Sequence, residues 1–142
     1  MEFILELYKG CKCVKTGKEL RFGMTPEEVS EALGEESQGI VRGSEECYTY
    51  LTVDYKNNHA VAFQFYSEAV LYIEDERYPK LCGKNLCGMK HKDLKKIIKQ
   101  YDPDCIDDAG VQSLKMGIGT YYESTAYPVP EAIIIFQQGY YD

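Results

Sequence analysis

Hydrophobic positions along this chain switch between two periods, and the switches mark its elements. Glu2 to Tyr8 alternates and predicts a first strand, followed by a Gly- and Lys-rich connection through Gly17 and Lys18. Thr25 then stands as an N-cap, Pro26 fits the first helical position where no amide donor is needed, and Glu28 completes a Thr-x-x-Glu capping box. Val29, Ala32 and Leu33 give that short helix an apolar side, and Gly34 is placed to end it in a left-handed cap. After an acidic stretch from Glu35 to Glu46 the period changes to two. Tyr48 to Tyr55, Ala60 to Tyr66 and Ala69 to Glu74 read as three strands of an antiparallel meander, with Lys56-Asn57-Asn58-His59 and Ser67-Glu68 as turns. Met89 to Gln100 is helical by the same test, Tyr101-Asp102-Pro103-Asp104 breaks it, Val111 to Tyr122 is strand-like, and Ala132 to Gln138 is the last strand. Pro128 and Pro130 mark a loop or an edge.

One phrase occurs twice. Arg21-Phe22-Gly23-Met24-Thr25-Pro26-Glu27-Glu28-Val29 has a partner 65 positions later in Leu86-Cys87-Gly88-Met89-Lys90-His91-Lys92-Asp93-Leu94. The match of Gly, Met, acid and aliphatic residues suggests a copied supersecondary unit. The expected fold is therefore α+β: a single domain over residues 1–142, made of two pseudo-repeats (about 1–78 and 79–142). Each repeat is a helix plus an antiparallel meander, the two share one sheet, and the helices lie on one face.

Alternation also assigns faces. Leu51, Val53 and Tyr55 share a side with Val61, Phe63, Phe65, Leu71 and Ile73, and belong under the helices. The opposite face then carries Tyr48, Tyr50, Thr52, Asp54, Gln64, Tyr66, Tyr72 and Glu74, a tyrosine-rich surface edged by carboxylates. Tyrosine is a good strand former, and cross-strand aromatic pairs stabilise sheets without any partner. It also offers rigid, amphipathic contact area, and this chain has thirteen tyrosines and no tryptophan. The candidate partner-binding residues are Tyr48, Tyr50, Asp54, Tyr66, Tyr72, Glu74, Asp75 and Glu76.

Charge sharpens that reading. From Glu27 to Glu76 twelve carboxylates face only Arg42 and Lys56, a local balance of −10 within a net charge of −7. Nucleic-acid affinity comes from cations, so direct nucleic-acid binding is not expected. The seven lysines between Lys80 and Lys99 read as the solvated face of the second helix. The longest purely apolar run, Ala132 to Phe136, is far short of the about 20 residues a membrane span needs, and Phe3-Ile4-Leu5 is cut by Glu6 and Lys9 before it can form a signal peptide. A cytoplasmic protein is expected, with Cys11, Cys13, Cys47, Cys82, Cys87 and Cys105 as reduced thiols. Cys11-x-Cys13 and Cys82-x4-Cys87 lack the two-residue spacing of a zinc knuckle, so neither metal nor cofactor is expected. With His59 and His91 as the only histidines, and no phosphate loop, Gly-x-Ser-x-Gly elbow, His-Glu-x-x-His or dinucleotide fingerprint, nothing points to an enzyme.

The phrase from Arg21 to Gly34, the paired aromatic strands and the terminal Gly139-Tyr140-Tyr141-Asp142 resemble a group of small bacterial cytoplasmic proteins, many regarded as immunity proteins of polymorphic toxin and contact-dependent inhibition systems. The repeated helix-and-meander unit is similar to the β-lactamase inhibitor protein architecture and to the small lipoprotein of the outer-membrane assembly machinery. Lacking a signal peptide and an acylated cysteine, this sequence departs from both in the direction of a non-envelope role. The resemblance implies a non-catalytic binding scaffold that inhibits a cognate protein toxin, with a basic nuclease as one partner class. The alternative is a small-ligand-binding or regulatory domain.

Overall fold

The computed structural model describes residues 2–34, 51–78, 81, 83–108, 110–122 and 129–142. Ten strands and two helices are described: β1 (Glu2–Glu6), β2 (Gly10–Cys13), β3 (Glu19–Arg21), α1 (Pro26–Leu33), β4 (Leu51–Lys56), β5 (His59–Tyr66), β6 (Val70–Ile73), α2 (His91–Tyr101), β7 (Ile106–Asp108), β8 (Gly110–Ser113), β9 (Ile118–Tyr121) and β10 (Ala132–Phe136). They form two sheets, one of four strands in the order β3-β2-β1-β6 and one of six in the order β4-β5-β10-β9-β8-β7.

This overturns the expectation of one shared sheet with both helices on one face. β4 and β5 pair antiparallel as the alternation requires, around Asn57 and Asn58 at φ 53° and 65°, the left-handed pair that matches strand twist in a two-residue hairpin. β6 does not continue that meander. It crosses to the other sheet and pairs in parallel with β1, Leu71 opposite Phe3 and Ile73 opposite Leu5. The place beside β5 is taken by β10, with Ile133 opposite Phe65 and Ile135 opposite Phe63. The reason lies in two-sided apolarity. Ala132, Ile133, Ile135 and Phe136 of β10 are buried, which suits a central strand, whereas Val70 and Tyr72 leave one face of β6 half-exposed, which suits an edge.

The segment read as a connection between the first strand and α1 contains β2 and β3. Cys11 and Cys13 act there as small buried hydrophobes alternating with exposed Lys12. Gly10 has no substitute at its position: with φ 138°, an added Cβ would lie 1.9 Å from the Leu20 carbonyl oxygen across the β2–β3 ladder.

The apolar faces of both sheets meet in one core. Phe3 packs on Phe65 with centroids 4.9 Å apart, and Phe22 stacks on Phe63 at 5.4 Å. The first copy of the repeated phrase helps join the sheets, because Gly23 N–H donates to the Ala60 carbonyl and Ala60 N–H to that of Met24, each at 2.8 Å. α1 is capped as its sequence dictates. Glu28 N–H donates to Thr25 Oγ1, and Gly34 ends the helix at φ 71°. Its apolar side packs near β3 and α2 lies near β8, so each helix attends a different sheet. α2 ends at Asp102, a buried carboxylate that accepts from Ser113 Oγ at 2.6 Å and from the Asp104 amide at 3.1 Å. Gly23 takes φ 94° and Gly88 no positive φ, so the two matched glycines do not share a conformation, although α1 and α2 start the same distance after them.

Candidate functional site

The core-distal face of the six-stranded sheet holds a groove of about 660 Å³. Its floor follows from register. One row across the sheet runs Thr52, Gln64, Ile134, Gly119, Gln112 and Ile106; the next places Ala132 between Tyr66 and Tyr121. Small residues at Gly119 and Ala132 leave depth, since a Cβ on Gly119 would come within 3.1 Å of Ile134. Tyr66 and Tyr121 stand as walls on either side of Ala132, and Gln64 Nε2 donates to the Tyr66 hydroxyl at 3.3 Å.

The chain's last residues build the end of the groove. After β10 a turn from Gln137 to Asp142 folds back, held by Tyr140 N–H to Gln137 O at 3.2 Å and Asp142 N–H to Gly139 O at 3.1 Å. Tyr140 stacks on Phe136 at 5.6 Å, and Tyr141 meets both rings edge-on, at 5.0 Å from Phe136 and 4.8 Å from Tyr140. The Tyr140 hydroxyl donates to Asp54 Oδ2 at 2.5 Å, fixing the turn to the β4 edge. Tyr121 and Tyr141 remain 48% and 52% exposed, which leaves ring surface open to a partner. Asp108 and Glu131 complete the lining, and no Lys or Arg is found among the described lining residues.

The sequence-based site set is thus divided. Tyr66 lines the groove and Asp54 anchors its end. Tyr48 and Tyr50 lie outside the described residues. Tyr72, Glu74, Asp75 and Glu76 belong to the other sheet: Tyr72 is half-buried on β6, and the three acids follow that strand's carboxyl end. Because β1 and β6 run parallel, their ends open at the same edge, and Glu74, Asp75 and Glu76 share a depression of about 380 Å³ with Glu6, Lys9 and Arg77. Tyr121, Gln112, Asp108, Glu131, Tyr140 and Tyr141 were absent from that set. The alternation in Ile118 to Tyr121 points to Tyr121 and the terminal aromatic pair to Tyr140 and Tyr141, whereas no sequence signal marks Gln112, Asp108 or Glu131.

Two exposed ion pairs offer a pH test. Arg77 grips Asp75 with Nε at 3.1 Å and a terminal nitrogen at 2.7 Å, which holds the Asp75 carboxyl below the usual aspartate range. Lys95 pairs with Asp107 and does the same there. Because the folded values lie below the unfolded ones, each pairing favours the fold above the ordinary carboxylate range, and the contribution is lost as pH falls through the folded value. Carbon-detected NMR titration is expected to find both aspartates titrating low, with Arg77→Gln returning only Asp75 towards normal and Lys95→Gln only Asp107. Unmoved titration curves in these variants would remove the pairs as the cause.

His91 lies near Asp107. His91 Nε2 is 3.9 Å from Asp107 Oδ1, beyond hydrogen-bond length, and the imidazole meets Tyr122 edge-on at 4.2 Å. Burial pushes the Tyr122 phenol up to about 12. The thiols are comparably quiet. Complete burial raises Cys11 well above its usual value, and burial, with the Glu68 charge second, pushes Cys87 up to about 12, so both are protonated at neutral pH. Cys13 is buried and Cys105 half-buried; Cys47 and Cys82 lie outside the described residues. Among the described residues no helix is long and apolar enough to cross a membrane. No protein-family model, curated protein or solved structure matches this chain.

Proposed function

We propose that this chain is a non-catalytic protein-binding module that acts in the cytoplasm as an immunity protein, capturing a cognate toxin through the outer face of its six-stranded sheet. The observation that carries this reading is the groove walled by Tyr66, Tyr121, Tyr140 and Tyr141. Tyrosines concentrated in a hollow, with acids at its margin and a net charge of −7, are what a basic partner such as a nuclease toxin would meet productively. The step from binding module to toxin neutralisation rests on the resemblance of the Arg21–Gly34 phrase and the terminal Gly-Tyr-Tyr-Asp.

The test is co-expression with the C-terminal domain of a toxin encoded next to this gene. The toxin alone is expected to arrest growth and this chain to relieve the arrest. Tyr121→Ala and Tyr66→Ala should each cost about 2 kcal/mol of binding through faster dissociation. Raising salt should slow association. Binding that ignores both tyrosines and salt would place the interface elsewhere. A second reading, a small-ligand domain, is favoured by the groove's volume, which lies in the usual range of small-molecule pockets, roughly 300–1,000 Å³. Native mass spectrometry separates the two. A co-purified mass increment lost in Tyr66→Ala supports the small ligand.

A further inference from the structure

We infer that the slot over Ala132, between Tyr66 and Tyr121, receives an arginine side chain presented by an extended basic segment; this rests on the groove being the binding face. Tyr66 and Tyr121 sit on β5 and β9, either side of β10, and both lie opposite the single small residue Ala132. Two strand spacings of about 4.8 Å separate their backbones by roughly 10 Å, which leaves room for one flat group between the two side chains. A guanidinium is flat, is cationic, and stacks on aromatic faces.

The charges around the slot select the same group. Asp108 and Glu131 are the ionisable acids of the described lining, with no described cation to neutralise them. Glu131 lines the groove beside Ala132, where its carboxylate can accept from a forked donor. On the floor beside the slot, Gln64 and Gln112 offer amide groups to the backbone of a segment laid along the row through Ile134 and Gly119. A lysine would meet the charge but not the planar slot. A neutral planar group would fit the slot but not the charge.

NMR titration of the intact chain with an alternating glycine–arginine hexapeptide tests this, against the same peptide carrying citrulline or lysine and against a neutral glucose hexasaccharide. Saturable shifts are expected at the amides of Gly119, Tyr121 and Ala132. Citrulline should weaken binding by about tenfold, as should Tyr121→Ala or Glu131→Gln, while lysine should weaken it by about threefold. Glu74→Gln should leave the arginine peptide's affinity unchanged. The inference is overturned if the shifts gather at Glu74 to Arg77, if citrulline or lysine matches arginine, or if the oligosaccharide binds the same amides more tightly. Loss of toxin binding in Tyr121→Ala, with groove amides unmoved by arginine, would sink the arginine assignment alone. The reverse pattern would leave the arginine slot standing and sink the toxin-binding role of the face.

Discussion

Phe65→Ala is expected to cost about 3–5 kcal/mol of folding free energy, the usual range for emptying a buried aromatic site. The ring is fully buried where the two sheets meet. It packs on Phe3 of the four-stranded sheet and lies opposite both Leu51 and Ile133 in its own. Those neighbours sit on three separate strands, each held in its own sheet, so little collapse into the void is available. For a chain of this length the loss corresponds to a fall in Tm of very roughly 10–15 °C. Urea unfolding should show a lower midpoint with an unchanged slope. The next residue gives the control: Tyr66 points to the opposite face and is half-exposed, so Tyr66→Ala should cost less than half as much while damaging binding. Equal losses at the two positions would mean that the faces of β5 have been misassigned.

That contrast also shows what could be read in the sequence. Face is a local property: alternation places Leu51, Val53, Phe63 and Phe65 inward, and the structure buries all four. Capping is local too, which is why Thr25, Pro26 and Gly34 bound α1 where the sequence put it. Neighbourhood is not local. Leu71 and Ile73 alternate as well beside β1 as they would beside β5, so the pattern of β6 alone could not choose its sheet. The deciding comparison was between β6 and β10, and the unbroken apolar run at Ile133-Ile134-Ile135 was the cue for the central place. β2 and β3 are hard to read from sequence because cysteine signals chemistry as readily as it does a small hydrophobe, although Cys11, Cys13 and Leu20 are all buried in the core.

The site shows the same limit. Tyr66 and Asp54 lie on the face that alternation assigned them, yet Tyr72 left with its strand and took the acids Glu74 to Glu76 with it. The vacated side of the surface is supplied by Tyr121 and by the C-terminal turn. No periodicity connects Tyr140 to Asp54, which are 86 positions apart and joined by one hydrogen bond.

Gly110→Ala carries the second large expected effect, and it ties stability to the groove. Gly110 sits at φ 145°, and an added Cβ would lie 2.0 Å from the Thr120 carbonyl oxygen and 2.8 Å from its carbon, both backbone atoms that cannot rotate aside. The unfavourable backbone region costs about 1–2 kcal/mol and the overpacking about 1–3, so a total near 3–4 kcal/mol is expected. Relief requires β8 and β9 to part, which breaks the 2.8 Å bond from Val111 N–H to Thr120 Oγ1 and shifts Gln112, Gly119 and Tyr121 in the groove. Hydrogen exchange should therefore quicken first at Val111. Affinity for the arginine peptide should fall even at temperatures where the variant stays folded. Gly10→Ala separates the two consequences. It meets the Leu20 carbonyl in the same way on the four-stranded sheet, so it should cost a similar amount of stability while its folded fraction binds the peptide normally. If Gly110→Ala and Gly10→Ala reduce peptide affinity equally, the effect is global loosening, and β8 and β9 do not shape the binding face.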